Sequence, residues 1–189
     1  MLNEFNTYLD EIDSGFWEEL FREYGNIRFF KKGEEFIRIG TVARHFGFIR
    51  NGSLKYSVYT TDGKEKVIGL ETAGGYAASF PFCLHDQPSV VSIIANTDSE
   101  LYCLSVARIK ELIKEDMHVK QLVEESLNAI FYTLYNRHIQ LYALTPKERY
   151  EQLLHRCPQL FEIFQLKDIA SFLNITRQHL DRLKKSVPM

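Results

Sequence analysis

The hydrophobic period of this chain of 189 residues changes twice, and the change limits the folds that it can adopt. Residues 27–104 consist of short runs rich in β-branched and aromatic residues, in which apolar and polar positions alternate. Turn signals at Asn51-Gly52 and Asp62-Gly63 separate these runs. Short strands with frequent turns predict an antiparallel roll rather than a parallel α/β sheet. The predicted fold class is therefore α+β, with helices before and after a β-domain.

Apolar residues at helical spacing flank the β-domain on both sides. Up to about Tyr24 they predict one or two short amphipathic helices. After Ser105 they predict a helix of about 25 residues with two adjacent apolar stripes. The first stripe consists of Val123, Leu127, Ile130, Leu134 and Leu141, and the second of Phe131, Tyr135, His138 and Tyr142. One stripe can pack on the β-domain and the other on a second copy, so we assign the first stripe to a dimerisation helix over residues 116–144. Burial of the whole helix within a monomer is the alternative.

The long helix is predicted to end at Thr145-Pro146, where another helix begins. Thr145 is a good N-cap, Pro146 suits the first helical position and Glu148 stands where a capping box places an acid. This helix should end near Cys157-Pro158. Residues 145–189 then form a separate unit, after an N-terminal domain over residues 1–115.

The stretch "LKDIASFLNITRQHLDRLKK" (residues 166–185) predicts a helix-turn-helix, in which two short helices meet at a steep angle. Asn174 can adopt a left-handed turn, Ile175 can fill the corner and Thr176 can cap the second helix. Arginine can bind guanine, and glutamine adenine, through two hydrogen bonds in the major groove, whereas lysines suit phosphates. The predicted DNA-binding residues are Thr176, Arg177, Gln178, His179, Asp181, Arg182, Lys184 and Lys185. A helical hairpin with a solvated basic face is the alternative.

Composition and charge exclude several classes of protein. No apolar run reaches the roughly 20 residues that span a bilayer, and residues 1–30 are acidic, so secretion and membrane binding are not expected. Three cysteines far apart, Cys83, Cys103 and Cys157, give no metal motif and fit the cytoplasm. Residues 167–189 carry five basic and two acidic residues, which favours an anionic partner. We expect double-stranded DNA and a second copy of the chain as partners, with RNA polymerase as a further candidate, and no cofactor.

The quoted features together resemble the Crp/Fnr transcription regulators over nearly the whole chain. The resemblance rests on "FFKKGEEFIRIG", "FGFIRNGSLKYSVYTTDGKEKVIGL", the long helix and the helix-turn-helix. It implies an N-terminal cyclic-nucleotide-binding β-roll (a double-stranded β-helix), a dimerisation helix and a C-terminal winged helix. It also implies that Arg177, Gln178 and Arg182 contact bases. The implied function is sequence-specific recognition of a palindromic operator by a dimer, and not catalysis.

The segment that would hold a cyclic phosphate departs from the family. By the resemblance, the Glu that binds ribose falls on Ser79, and the Arg-Ser pair that binds phosphate falls on Ser89 and Val90. No Arg or Lys lies between Lys66 and Arg108, and a buried phosphate needs a cation or several donors. Binding of cyclic AMP or GMP in the usual mode is therefore not expected. The candidate effector pocket consists of Tyr76, Ser79, Phe80, Ser89 and Val90.

The aromatic residues of this segment have two interpretations. Together with Phe82 and His85 they can line a pocket for an uncharged or aromatic ligand, or they can fill the roll, which is the more common role of such residues. Haem binding would need a ligand such as His45 or His85, and neither has a partner in sequence.

The family's β-hairpin wing also has no counterpart in the given sequence, since only four residues follow Lys185. The expected helix-turn-helix domain is therefore all-α and lacks a full wing. Two other functions remain open. One is a ligand-sensing or interaction module without productive DNA binding. The other is a cupin-like metal enzyme, which would need clustered histidines, whereas the six histidines here are scattered.

Overall fold

A computed structural model describes residues 6–186 of the chain. Phe5, which belongs to the first predicted amphipathic stretch, lies outside the described residues. So do residues 187–189, on which the expectation about the wing depends. Within residues 6–186, no helix is both long enough and apolar enough to cross a membrane.

Two short helices precede the β-domain, as the helical spacing predicts. A 3-10 helix spans Thr7–Asp10, and α1 spans Ser14–Tyr24. The carboxylate of Asp13 caps α1, because its Oδ1 accepts a hydrogen bond from the Phe16 amide at 2.9 Å. Helix α1 buries Trp17 and two neighbouring apolar side chains against the roll.

Eight antiparallel strands form the predicted roll. They are β1 (Asn26–Phe30), β2 (Glu35–Ile37), β3 (His45–Asn51), β4 (Ser53–Tyr59), β5 (Glu65–Thr72), β6 (Tyr76–Ala77), β7 (Ser92–Ala95) and β8 (Ser99–Ser105). One sheet has the order β1-β8-β3-β6 and the other β2-β7-β4-β5. Apolar side chains from both sheets meet in a core that includes Ile49, Leu54, Ile93 and Leu101. The prediction of an α+β fold with an antiparallel β-roll is confirmed.

The turn signals occur where the chain reverses direction. Gly52 joins β3 to β4 with a φ of +91°, and Gly63 lies in the β4–β5 turn with a φ of +78°. A Cβ on Gly52 would also lie only 2.6 Å from the carbonyl oxygen of Asp98. Glycine is therefore required at position 52 both by conformation and by packing.

The sequence predicts the long helix, the helix after Thr145 and the two helices of the helix-turn-helix, whereas six α-helices follow the roll within residues 6–186. They are α2 (Val106–Glu115), α3 (Met117–Ala143), α4 (Pro146–Arg156), α6 (Leu166–Phe172) and α7 (Arg177–Ser186), and a single turn, α5 (Leu160–Ile163), lies between α4 and α6. The capping box at the start of α4 is present: the side chain of Thr145 accepts from the Glu148 amide, and Glu148 accepts from the Thr145 amide.

Helices α4 to α7 pack around their own apolar core and also against one face of the roll. This core contains Tyr150, Leu160, Ile169 and Leu180, and it includes Val67 and Leu70 from β5. The amide of Val67 donates a hydrogen bond to Ser171 Oγ at 2.8 Å. The C-terminal helices are therefore held against β5.

Candidate nucleic-acid interface and ligand cavity

The turn between α6 and α7 has the local structure that the sequence predicts. Asn174 has a φ of +54°, which is the left-handed region that asparagine tolerates better than most residues. Ile175 packs against the C-terminal core, and Thr176 Oγ1 accepts a hydrogen bond from the His179 amide at 3.2 Å. The guanidinium of Arg149 fixes the turn from α4, since it donates to the Leu173 carbonyl oxygen at 3.2 Å. The helix-turn-helix therefore forms with α7 as its second helix.

Helix α7 has one apolar and one polar face. Leu180 and Leu183 are buried in the C-terminal core. Gln178, Arg182 and Lys185 follow at positions i, i+4 and i+7, so they share one face, and all three are exposed. This face is continuous and donor-rich, and its two charged residues are both basic.

The other predicted DNA-binding residues lie around this face. Thr176 and Arg177 are exposed at the start of α7, whereas His179 and Asp181 are half-buried at its sides. The ammonium of Lys184 lies over the ring of Phe161, 4.1 Å from the centroid. This cation–π contact directs Lys184 towards its own domain, whereas Lys185 extends into solvent.

The first stripe of α3 divides between two environments. Val123 is buried against the roll, Leu127 packs beside it, and Ile130 lines a cavity described below. Leu134 and Leu141 are exposed, at 54% and 38%. The assignment of all five residues to a dimer contact therefore needs correction, because Val123 has no free surface for a second chain.

The second stripe lies on the exposed side of α3 instead. The rings of Phe131 and Tyr135 stack with their centroids 5.6 Å apart. The rings of His138 and Tyr142 meet edge to face, with their centroids 5.1 Å apart. Phe131, Tyr135 and Tyr142 are 62%, 52% and 82% exposed. We call these four residues the α3 aromatic stripe. It is a contiguous apolar surface of the kind that usually contacts another molecule.

A cavity of about 370 Å³ lies between the roll, the N-terminal helices and α3. Its walls are mainly aromatic and aliphatic, with contributions from Trp17, Phe21, Phe46 and Phe80. A volume in this range is typical of sites for small molecules. Tyr76 and Phe80 pack against the apolar cores and also line this cavity, so both interpretations of the aromatic segment stay open.

The candidate effector residues reach this cavity unequally. Tyr76, Ser79, Phe80 and Val90 line it, and so does Phe82. Ser89 is turned away and is satisfied locally, because its hydroxyl donates to the Val91 carbonyl oxygen at 2.6 Å.

His85, the other side chain considered for this pocket, is exposed on a 3-10 helix (Phe82–His85). Among residues 6–186, no three side chains of His, Cys, Asp or Glu are grouped so that they could hold a metal ion.

Polar residues from distant parts of the sequence also enter the cavity. The carboxyl of Glu71 on β5 accepts hydrogen bonds from Asn6 Nδ2 at 2.6 Å and from the Tyr8 hydroxyl at 3.2 Å. Arg137 reaches the cavity from α3, where its guanidinium donates to the Ile68 carbonyl oxygen at 3.2 Å. Sequence reasoning missed Arg137, because the search for a cation was confined to the roll. The position of Arg137 on the side of the long helix that faces the roll could have indicated it.

Burial shifts the ionisation of these groups. It raises the pKa of Glu71 to about 8, although the hydrogen bonds from Asn6 and Tyr8 and the charge of Arg137 act in the opposite direction. It lowers the pKa of Arg137 to about 10, against the effect of Glu71. Burial therefore favours the neutral form of each group, whereas their mutual attraction favours the charged forms.

Comparisons with known proteins agree with this architecture. Residues 27–116 match the family model of the cyclic nucleotide-binding domain. A search of curated proteins gives no sequence match. Solved structures with a similar fold include FixK2 from Bradyrhizobium japonicum (15% identity, 86% of this chain and 83% of that chain covered, TM-score 0.76). They also include the c-di-GMP-responsive global regulator CLP from Xanthomonas campestris (17% identity, 92% and 91% covered, TM-score 0.69).

Residues 27–116 therefore match the model of the cyclic nucleotide-binding domain, and the chain is similar in fold to FixK2 and CLP. The chain is Crp/Fnr-like in fold. The resemblance predicted from the sequence is confirmed at this level.

Proposed function

We propose that the protein is a homodimeric, sequence-specific DNA-binding transcription regulator of the cytoplasm. The observation that carries this proposal is the exposed face of α7, where Gln178, Arg182 and Lys185 lie side by side on a helix-turn-helix. Arg177, exposed at the start of the same helix, extends this face. Residues 1–115 would act as the sensor, 116–144 as the dimerisation helix and 145–189 as the DNA-binding unit. Contact with RNA polymerase would follow from this function.

The proposed dimer uses the α3 aromatic stripe together with Leu134 and Leu141. These side chains are exposed, apolar and arranged along one long helix, as in a symmetric helix pair. Two copies joined in this way would present two α7 helices about one turn of DNA apart, which predicts a palindromic operator. We expect Phe131→Glu combined with Tyr135→Glu to give monomers in analytical ultracentrifugation. The stripe would not be the interface if the double variant stayed dimeric.

DNA recognition is tested by selecting bound sequences from a random double-stranded pool. We expect enrichment of a palindrome with two half-sites, and fluorescence anisotropy then gives affinities for the enriched sequence and for a scrambled one. Arg177→Ala and Arg182→Ala should each weaken binding to the palindrome by about five- to a hundredfold and relax base preference, since a bidentate base contact contributes about 1–3 kcal/mol.

Lys185→Ala is the matched control within the same helix. It should weaken binding to both DNAs equally and reduce the salt dependence by about one phosphate contact. If all three variants weakened binding to the palindrome and to the scrambled DNA by the same factor, the result would contradict recognition of bases by α7. Dimers that enrich no sequence would instead indicate an interaction module without productive DNA binding.

A further inference from the structure

The cavity between the roll and α3 has the features of a ligand site, but not of a site for a cyclic nucleotide. Its walls are predominantly apolar, and the segment of the roll that would hold a phosphate, residues 74–95, contains no Arg or Lys. The cation that reaches the cavity, Arg137, comes from α3 instead. Recognition in this cavity therefore differs from the phosphate mode implied by the domain family.

The Arg137 guanidinium is positioned to receive an anionic group. Among residues 6–186, its hydrogen bonds go to neutral oxygens, namely the Ile68 carbonyl oxygen at 3.2 Å and Asn6 Oδ1 at 3.5 Å. The nearby carboxyl of Glu71 accepts hydrogen bonds from Asn6 and Tyr8, and burial raises its pKa, which reduces the extent to which it offsets the charge of Arg137. A carboxylate from a ligand would supply charge-assisted hydrogen bonds, which are the strong kind.

A second polar group in the wall also lacks a partner. The hydroxyl of Ser79 is buried in a residue that is 3% exposed, and within residues 6–186 no group forms a hydrogen bond with its Oγ. An unsatisfied buried hydroxyl is costly, so most such groups in folded proteins are paired. Ser79 lines the cavity, where a ligand oxygen would satisfy it.

From these three observations we propose that the cavity binds a small organic monocarboxylic acid with an apolar body. The carboxylate would pair with Arg137, the apolar chain or ring would lie among Trp17, Phe46 and Phe80, and a second polar group of the ligand would reach Ser79. The proposal deepens the proposed function, because it names the class of signal that the sensor would detect.

Arg137 also connects the cavity to the helix-turn-helix. Its guanidinium lies over the ring of Phe172, 4.6 Å from the centroid, and Phe172 is the last residue of α6. A ligand carboxylate that draws the guanidinium towards the cavity would weaken this stacking contact. Ligand binding would then alter how α6 is held against β5, and with it the position of α7.

The single tryptophan provides a local probe of binding. Trp17 lines the cavity, is 8% exposed and donates a hydrogen bond from Nε1 to Ser126 Oγ at 3.1 Å. Its fluorescence is titrated in the full chain with decanoate, with 4-phenylbutanoate, with the primary amides of both acids and with cyclic AMP. We expect at least one acid to give a saturable change, its amide to bind about ten- to a hundredfold more weakly, and cyclic AMP to give none.

Three variants separate charge recognition from folding. Arg137→Gln should bind acid and amide equally, and Arg137→Lys should keep a preference for the acid. The surface control Arg44→Gln should behave as the wild type, because Arg44 is exposed and does not line the cavity. Circular dichroism checks that each variant is folded. If Arg137→Gln does not fold, the comparison of Arg137→Lys with the wild type carries the test.

Several results would overturn the proposal. They are the absence of a saturable response to both acids, equal binding of acid and amide by the wild type, or an unchanged acid preference in folded Arg137→Gln. None of them affects DNA selection in the absence of ligand, so failure of this proposal is distinguishable from failure of the proposed function.

Discussion

The helix-turn-helix and the ligand cavity are assembled in opposite ways. In the helix-turn-helix, the turn residue Asn174, the cap Thr176 and the exposed Arg182 lie within nine consecutive residues. In the cavity, by contrast, Asn6, Glu71 and Arg137 come from three elements more than 60 residues apart in the chain. Local sequence is therefore sufficient to recognise the first site, whereas the second exists only when the roll, the N-terminal segment and α3 have packed together.

The helix-turn-helix and the roll meet at a partly buried cluster of charges, and breaking it should have the largest effect. Lys55 Nζ on β4 lies 2.8 Å from Glu65 Oε1 and 3.4 Å from Asp168 Oδ1 of α6, and the side chains of Lys55 and Asp168 are only 11% and 5% exposed. Lys55→Met would leave the Asp168 carboxylate buried without its cation. We expect urea denaturation to show a loss of about 3–5 kcal/mol in the free energy of unfolding.

Two further variants test whether the loss of stability comes from the buried charge of Asp168. Lys31→Met removes an exposed pair with Asp98, so it should lower the free energy of unfolding much less than Lys55→Met does. Adding Asp168→Leu to Lys55→Met should restore much of the lost stability, since no charge then remains buried on α6. If the Lys55 and Lys31 variants lose the same small amount, the docking of α6 on the roll does not depend on this charge pair.

The second prediction concerns the cavity alone and its response to pH. Burial raises the pKa of Glu71 from 4.5 to about 8, so between these values the folded chain holds a proton that the unfolded chain has released. Within the described part of the chain, Asn6, Tyr8, Tyr56 and Arg137 face this carboxyl. The pKa values of both tyrosines are raised and that of Arg137 is about 10, so these groups keep their charge states over this range.

Glu71 should therefore make the free energy of unfolding fall as pH rises from about 4.5 to 8, by at most about 1.4 kcal/mol per pH unit. Glu71→Gln keeps a neutral side chain at all pH values, so the fall should become less steep. Denaturation series at pH 5, 6, 7 and 8 measure the slope, with the exposed Glu115→Gln as control. Equal slopes in the wild type and Glu71→Gln would show that Glu71 is ionised in the folded chain.

The features that the sequence predicted are those that depend on neighbouring residues, and the features that it missed depend on tertiary packing. The alternation in residues 27–104, the capping box at Thr145 and the turn at Asn174 each depend on neighbours a few residues away, so the roll and the order of the helices were predictable. The faces of α3 were not, because two apolar stripes on one helix do not reveal which of them faces the roll. The structure resolves this by burying Val123 and exposing Phe131.

The third prediction tests whether the helix-turn-helix depends on its local signals. Thr176→Ala removes the hydroxyl that accepts from the His179 amide, and loss of an N-cap typically costs about 1 kcal/mol. Thermal unfolding followed by circular dichroism should show this loss, and affinity for the selected DNA should fall as the first turn of α7 frays. Thr176→Ser keeps the cap and should behave as the wild type. Equal losses from both variants would show that the γ-methyl group, and not the cap, is what stabilises the turn.

The smallest effect is expected at the turn residue itself. Asn174 has a φ of +54°, a conformation that costs most L-residues about 1–2 kcal/mol but glycine nothing. Asn174→Gly should therefore change the free energy of unfolding by only a few tenths of a kcal/mol, because its easier turn is offset by the greater freedom of the unfolded chain. Asn174→Ala should cost about 1 kcal/mol. If alanine is tolerated as well as glycine in denaturation experiments, the turn is imposed by the packing of Ile175 and Leu173 on either side, and the helix-turn-helix resembles the cavity in depending on tertiary structure.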